Sequence, residues 1–148
     1  ELGYNTRLEN KDKGDLQRRH QFSMCICDSI SVCSTMRAGL KPDDLAKAFS
    51  VVTGIEKTYQ DLEFCAERII NLERLYNVKM GFDRSNDTLP DRFLSEPMPS
   101  GKSEGATVDL DVLLDEFYLE MGWDTKGIPT EEKLQELGLD NFVYEFND

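Results

Sequence analysis

Met24-Cys25-Ile26-Cys27-Asp28-Ser29-Ile30-Ser31-Val32-Cys33 is the stretch around which the rest of the chain is arranged. Three of the four cysteines lie in it, with one carboxylate among them. The run before it, Leu16 to Ile26, reads as a helix, with Leu16, Arg19/His20, Ser23 and Cys27 at helical spacing and Phe22 and Ile26 adding a second apolar strip. Polar residues of poor helix propensity cluster from Asp28 to Ser31, so the helix is expected to break there. Ile30 and Val32 then carry the chain into the core. Cys33 falls on a helix-end turn, where a thiolate and a carboxylate can be presented to something bound outside the helix.

Helices read outward from this turn in both directions. Pro42-Asp43-Asp44 has the character of a first helical turn, with proline tolerated and carboxylates complementing the dipole. Leu45, Ala48, Phe49 and Val52 make its apolar face, and Gly54 stops it. Thr58 is an N-cap candidate for the longest helix, Tyr59 to Lys79, whose predicted buried stripe is Leu62, Cys65, Ile69, Leu72 and Tyr76, widened by Ala66, Ile70 and Leu75. Glu67, Arg68, Glu73 and Arg74 are expected on a mixed charged face. Gly81 closes this helix, and residues 82–106 read as a long ordered loop pinned by Phe82, Leu89, Phe93 and Leu94. Asp109 or Asp111 opens another helix that ends at Gly122, with Trp123 as its end anchor. Thr130-Glu131-Glu132 opens a short last one, stopped by Gly138, and an aromatic, acidic tail follows. The expected fold is all-α, an irregular bundle of about five helices with one long ordered loop. Residues 1–13 are expected to be a loose lead-in or the cut edge of a larger protein, and residues 14–148 a helical C-terminal domain.

Composition narrows the function classes. Seventeen basic residues against 29 acidic ones give a formal net charge of −12 over 148 residues, which disfavours nucleic acid and anionic membrane surfaces as partners. No apolar run is long enough to span a bilayer. Cys25, Cys27, Cys33 and Cys65 make no convincing disulfide framework and read as reduced thiols, the expectation for a cytoplasmic protein.

From Cys65 onward an ordered series of short motifs follows: Glu67-Arg68-Ile69, Asn71-Leu72-Glu73-Arg74, Asn77-Val78, Gly81-Phe82-Asp83-Arg84, Asp87-Thr88-Leu89-Pro90-Asp91-Arg92-Phe93, Leu114-Asp115, Gly122-Trp123-Asp124, Gly127-Ile128-Pro129-Thr130 and Leu137-Gly138-Leu139. Together they closely resemble the C-terminal part of the tungsten-pterin aldehyde:ferredoxin oxidoreductases, over roughly Gly14 to Leu139. In that register Asp28-Ser29-Ile30-Ser31-Val32-Cys33 looks like the family's Asp-x-x-Gly-Leu-Cys element. The resemblance implies that Cys33 is the fourth thiolate ligand of a 4Fe-4S cluster. It also implies that Asp28 hydrogen-bonds the pterin of a tungsten (or molybdenum) bis-pterin cofactor, and that the backbone at Val32 faces the same group. Thiolates suit iron–sulfur clusters, and a carboxylate can accept two parallel bonds from an amino-pyrimidinone edge.

Two departures from the family stand out. Ser31 occupies the glycine position, where an unusual dihedral or close backbone approach is at stake. The family's Cys-x-x-Cys-x-x-x-Cys run, its N-terminal pterin-cradling domain and its second aspartate motif are not in this sequence. The chain is therefore expected to be a fragment, inactive alone, of an enzyme oxidising aldehydes to carboxylates and passing electrons through the cluster to ferredoxin. Both cofactors need the N-terminal domains of that enzyme, and the parent is compatible with a homo-oligomer. The alternative is a stand-alone acidic helical module that binds a partner protein and no cofactor. A third, weaker option is zinc on Cys25, Cys27 and Cys33, whose spacing does not match the usual pairs. Ordinary roles compete at each site residue: free cysteine is commonly a small buried hydrophobe, and Asp28 can close a turn through an Asx bond.

Overall fold

The computed structural model describes residues 8–33 and 35–145, with the side chains of 37, 38 and 143–145 left aside. Seven α-helices are present among the described residues and no β-strand: α1 Gly14–Ser29, α2 Pro42–Thr53, α3 Tyr59–Lys79, α4 Asp91–Ser95, α5 Leu110–Met121, α6 Glu131–Glu136 and α7 Asp140–Glu145. The all-α expectation holds. The loop expected over 82–106 contains a 3-10 turn, Arg84–Asn86, and the short α4.

α1 lies between α3 and α5, and these two contacts organise the bundle. Gly14 makes the second one possible. A Cβ there would sit 2.6 Å from the Glu116 carbonyl oxygen of α5, so only glycine lets the two backbones approach this closely. The Glu116 carboxylate then accepts the backbone N–H groups of Asp12 and Lys13, both at 2.8 Å, and of Gly14 at 3.3 Å. A neighbouring helix thus satisfies donors at the start of α1 that would otherwise lack partners.

The main core joins Phe22, Ile26 and Cys27 of α1, Leu45 and Ala46 of α2, Leu62 and Ala66 of α3, and Phe117, Tyr118 and Met121 of α5. Ile30 and Val32 pack against it as expected. A second cluster, Leu75, Leu134, Leu137 and Leu139, seats α6 on the far end of α3, with Leu72 and Phe142 packed alongside.

Several faces turn out otherwise than periodicity suggested. In α1 the core strip is Phe22–Ile26, while Leu16 and His20 are exposed. In α2 it is Leu45–Ala46, and Val52 is 84% exposed. In α3 Leu62, Ala66 and Leu75 are buried as expected, but so are Asn71 and Arg74, whereas Cys65, Ile69 and Tyr76 are exposed. Phe82 and Phe93 do not pin the long loop, since both are half exposed. It is held by charge. Arg74 grips Asp87, and Arg84 reaches Asp115 at 2.6 Å and Asp111 at 3.1 Å across to α5.

The turn at the end of helix α1 as a candidate cofactor site

The last residues of α1 close in a Schellman motif. The Val32 N–H donates to the Cys27 carbonyl at 2.8 Å, and the Ser31 N–H donates to the Asp28 carbonyl at 3.3 Å. This geometry needs a left-handed residue at the penultimate position, and Ser31 adopts it with φ +60. The serine therefore keeps the backbone conformation that glycine would take, at a cost in strain. The Val32 N–H is spent on Cys27, which leaves its carbonyl oxygen as the backbone group able to meet a ligand. Val32 is half buried and packs on the core, so the turn is anchored.

Cys33 follows directly and is exposed. Its Sγ lies 2.8 Å from the Thr35 hydroxyl, and the Met36 N–H donates to its carbonyl at 2.9 Å, opening the 3-10 turn Met36–Gly39. The Thr35 hydroxyl first, then the Thr35 backbone N–H, hold the Cys33 thiol below the ordinary value, toward thiolate. Cys25 is pushed the other way. Burial raises its thiol first, the Ser29 hydroxyl offsets part of this, and the nearby Glu73 and Asp28 carboxylates add to the rise. Cys25 therefore stays a neutral thiol, with a weak contact to the Ala66 carbonyl of α3 at 3.9 Å. Asp28 is exposed on the last turn of α1. It borders a groove of about 540 Å³ between α1 and α3, together with His20, Met24, Ile69 and Glu73.

The turn thus brings Asp28, Val32 and Cys33 together on one short segment and leaves the other cysteines out. Cys27 is fully buried, Cys25 faces α3 and Cys65 lies on the outer side of α3. Among the described residues no three His, Cys, Asp or Glu side chains are grouped to hold a metal ion, which gives the zinc reading no support. A four-iron cluster takes four thiolates. The donor chemistry here fits one of the four, an accessible thiol held below its ordinary pKa on a hydrogen-bonded turn. It likewise fits one carboxylate and one carbonyl toward the N–H groups of a pterin.

The sequence reading missed a second polar assembly. Arg74, buried in α3, donates to both Asp87 carboxylate oxygens at 3.0 and 2.7 Å and to the Gly127 carbonyl at 2.6 Å. The Tyr118 hydroxyl also donates to Asp87. The guanidinium lies 5.0 Å from the Trp123 ring centroid, and the Trp123 indole N–H donates to Asn71 at 2.8 Å. Burial and the adjacent Asp87 carboxylate push the Tyr118 phenol well above its ordinary range. Every polar group in this assembly is paired, so it acts as a clamp joining α3, α5 and two loops. Gly127 is at φ +76, and a Cβ there would run into Arg74 and Tyr118. The juxtaposition of Arg74, Asp87 and Gly127 across distant segments left no local signal.

Comparison with known proteins agrees with the motif series. The family model described as aldehyde ferredoxin oxidoreductase, domains 2 and 3, matches residues 3–139. The tungsten-containing aldehyde ferredoxin oxidoreductase of Pyrococcus furiosus is 38% identical over 146 residues, 95% of this chain and 24% of its own length. That of Thermococcus kodakarensis is 35% identical over 147 residues, again covering 24% of its length. A shorter match, 40% identical over 80 residues, is to the WOR-like subunit of an aliphatic sulfonate oxidoreductase of Pyrococcus furiosus. Among solved structures, the active-site complex BamBC of benzoyl coenzyme A reductase matches with a TM-score of 0.58 and 30% identity, over 72% of this chain and 15% of that one. The chain spans about a quarter of the length of the tungsten relatives it matches, and it belongs to the aldehyde ferredoxin oxidoreductase family, within domains 2 and 3.

Proposed function

We propose that this chain is the part of a tungsten-pterin (or molybdenum-pterin) oxidoreductase that closes the cofactor site from one side. The enzyme oxidises aldehydes to carboxylates, and electrons leave through a 4Fe-4S cluster to ferredoxin. The observation that carries the reading is the α1 turn, where an exposed Cys33 stands beside Val32 and Asp28 on a hydrogen-bonded Schellman cap. In this reading Cys33 supplies one cluster thiolate. Asp28 accepts hydrogen bonds from the amino-pyrimidinone edge of the pterin, and the Val32 carbonyl accepts another. The tungsten centre supplies the oxidation chemistry when bound, while this chain contributes position and electrostatics. The chain alone, with one of four cluster ligands, is expected to be inactive. Aldehydes are the preferred substrate class because the tungsten relatives matching along nearly the whole chain carry that name, whereas the sulfonate relative matches about half of it.

The test is metal content and activity of the full-length parent protein, purified without oxygen. About four irons per chain with tungsten, and aldehyde-dependent reduction of an electron acceptor, is the expected result. A parent free of iron and tungsten overturns the reading.

A further inference from the structure

α3 carries apolar residues on two sides, and the outer one is covered only in part, at Leu72. Its inner side meets α1 and the clamp around Arg74. On its outer side Cys65, Ile69 and Tyr76 are exposed and follow the helical repeat toward Met80 at the C-cap, Leu72 between them is half-buried against the second core cluster, and Phe64 lies further round the helix beyond Arg68. Ile69 is 37% exposed, Phe64 44%, Tyr76 55% and Met80 59%. Exposed apolar side chains aligned along one face of a helix mark an interaction site. This stripe adjoins two depressions. One, bordered by Met24, Asp28, Ile69 and Glu73, begins at the candidate cofactor turn; the other, bordered by Leu72, Glu73, Tyr76 and Phe142, continues along the helix. Both share Glu73, so the surface is continuous with Asp28.

We propose that this outer face of α3 is where the cofactor-bearing remainder of the parent enzyme docks, an inference that rests on the function proposed above. Two observations select that occupant. The tungsten relatives carry about three-quarters of their length outside the matched region, and the surface runs directly from the residue placed toward the pterin. A second copy of the chain is disfavoured by charge, because each copy brings a formal net of −12.

Cys65, exposed at one end of the stripe, reports on occupancy. Maleimide labelling of Cys65, read by peptide mass spectrometry, compares the 148-residue chain with the anaerobically purified full-length parent, with iron and tungsten measured on the same parent sample. Labelling roughly tenfold or more slower in the parent, restored by denaturant, is the expected result. Equal rates in both overturn the proposal, even where iron and tungsten are present and the proposed function stands. Protection in the isolated chain together with a dimeric mass assigns the face to a second copy and overturns it as well. A parent no longer than this chain overturns both readings.

Discussion

Replacing Ser31 with glycine should stabilise the chain. Four helices, α1, α3, α5 and α6, end in the same pair of Schellman hydrogen bonds. At the left-handed position three of them carry glycine (Gly81, Gly122 and Gly138), and α1 carries Ser31 at φ +60. The left-handed conformation costs a residue with a Cβ about 1–2 kcal/mol. Glycine returns roughly 0.5–1 kcal/mol of that through its larger freedom in the unfolded chain. The net gain for Ser31→Gly is therefore about 0.5–1 kcal/mol, and for a chain of this length each kcal/mol moves Tm by roughly 2–4 °C. Thermal and urea unfolding of the two proteins measure it, with an unchanged denaturant slope expected. Gly81→Ser is the reciprocal change, at a position where an added Cβ meets nothing within 4 Å; it should lose a similar amount. A Ser31→Gly protein that is no more stable, beside a Gly81→Ser protein that is clearly less so, would refute the assignment of strain to Ser31.

Three other outcomes follow from the same physics. Arg74→Met removes the buried cationic partner of Asp87 and should cost about 3–5 kcal/mol, because the carboxylate keeps the Tyr118 hydroxyl but loses the guanidinium charge; urea unfolding reads it. The Glu116 carboxyl is held below its ordinary range by the Lys13 N–H first, then that of Asp12, so its contribution is present above the unfolded carboxylate value and is lost as pH falls through the lower folded one. Tm should accordingly fall with acid in that window, and Glu116→Gln should flatten that part of the profile. Thr35→Val removes the hydroxyl that favours the Cys33 thiolate, so the pH dependence of Cys33 alkylation should move upward while the fold is kept.

Local signals carried much of the architecture. Thr58 caps α3 through Asp61, and the helix runs from Tyr59 to Lys79 between the signals read from sequence. Gly54 and Gly122 stop α2 and α5 in the left-handed conformation, as glycines at helix ends do. The unusual dihedral at issue at the glycine position of the motif is present at Ser31. What local patterns could not rank was the two apolar sides of α3. Cys65, Ile69 and Tyr76 have the right spacing for a core, yet the position of α1 decides which side is covered, and that is a tertiary fact. Arg74, expected on a mixed charged face, is buried for a related reason. A guanidinium in a charged helix segment is ordinarily exposed, and its burial here depends on Asp87, Gly127 and Trp123, all distant in sequence. The match to Asp-x-x-Gly-Leu-Cys picked out Asp28, Val32 and Cys33; the structure adds that they share one turn and that the Val32 N–H is already engaged.

We propose Cys33, and none of the other cysteines of this chain, as the cluster ligand. This proposal is tested most directly by iron content and the cluster spectrum of the full-length parent, prepared without oxygen, as Cys33→Ala beside Cys65→Ala. The account predicts that Cys33→Ala loses most of its iron and its cluster signal while the helical content is unchanged, and that Cys65→Ala keeps both. A Cys33→Ala protein with full iron and an unaltered cluster spectrum would contradict it.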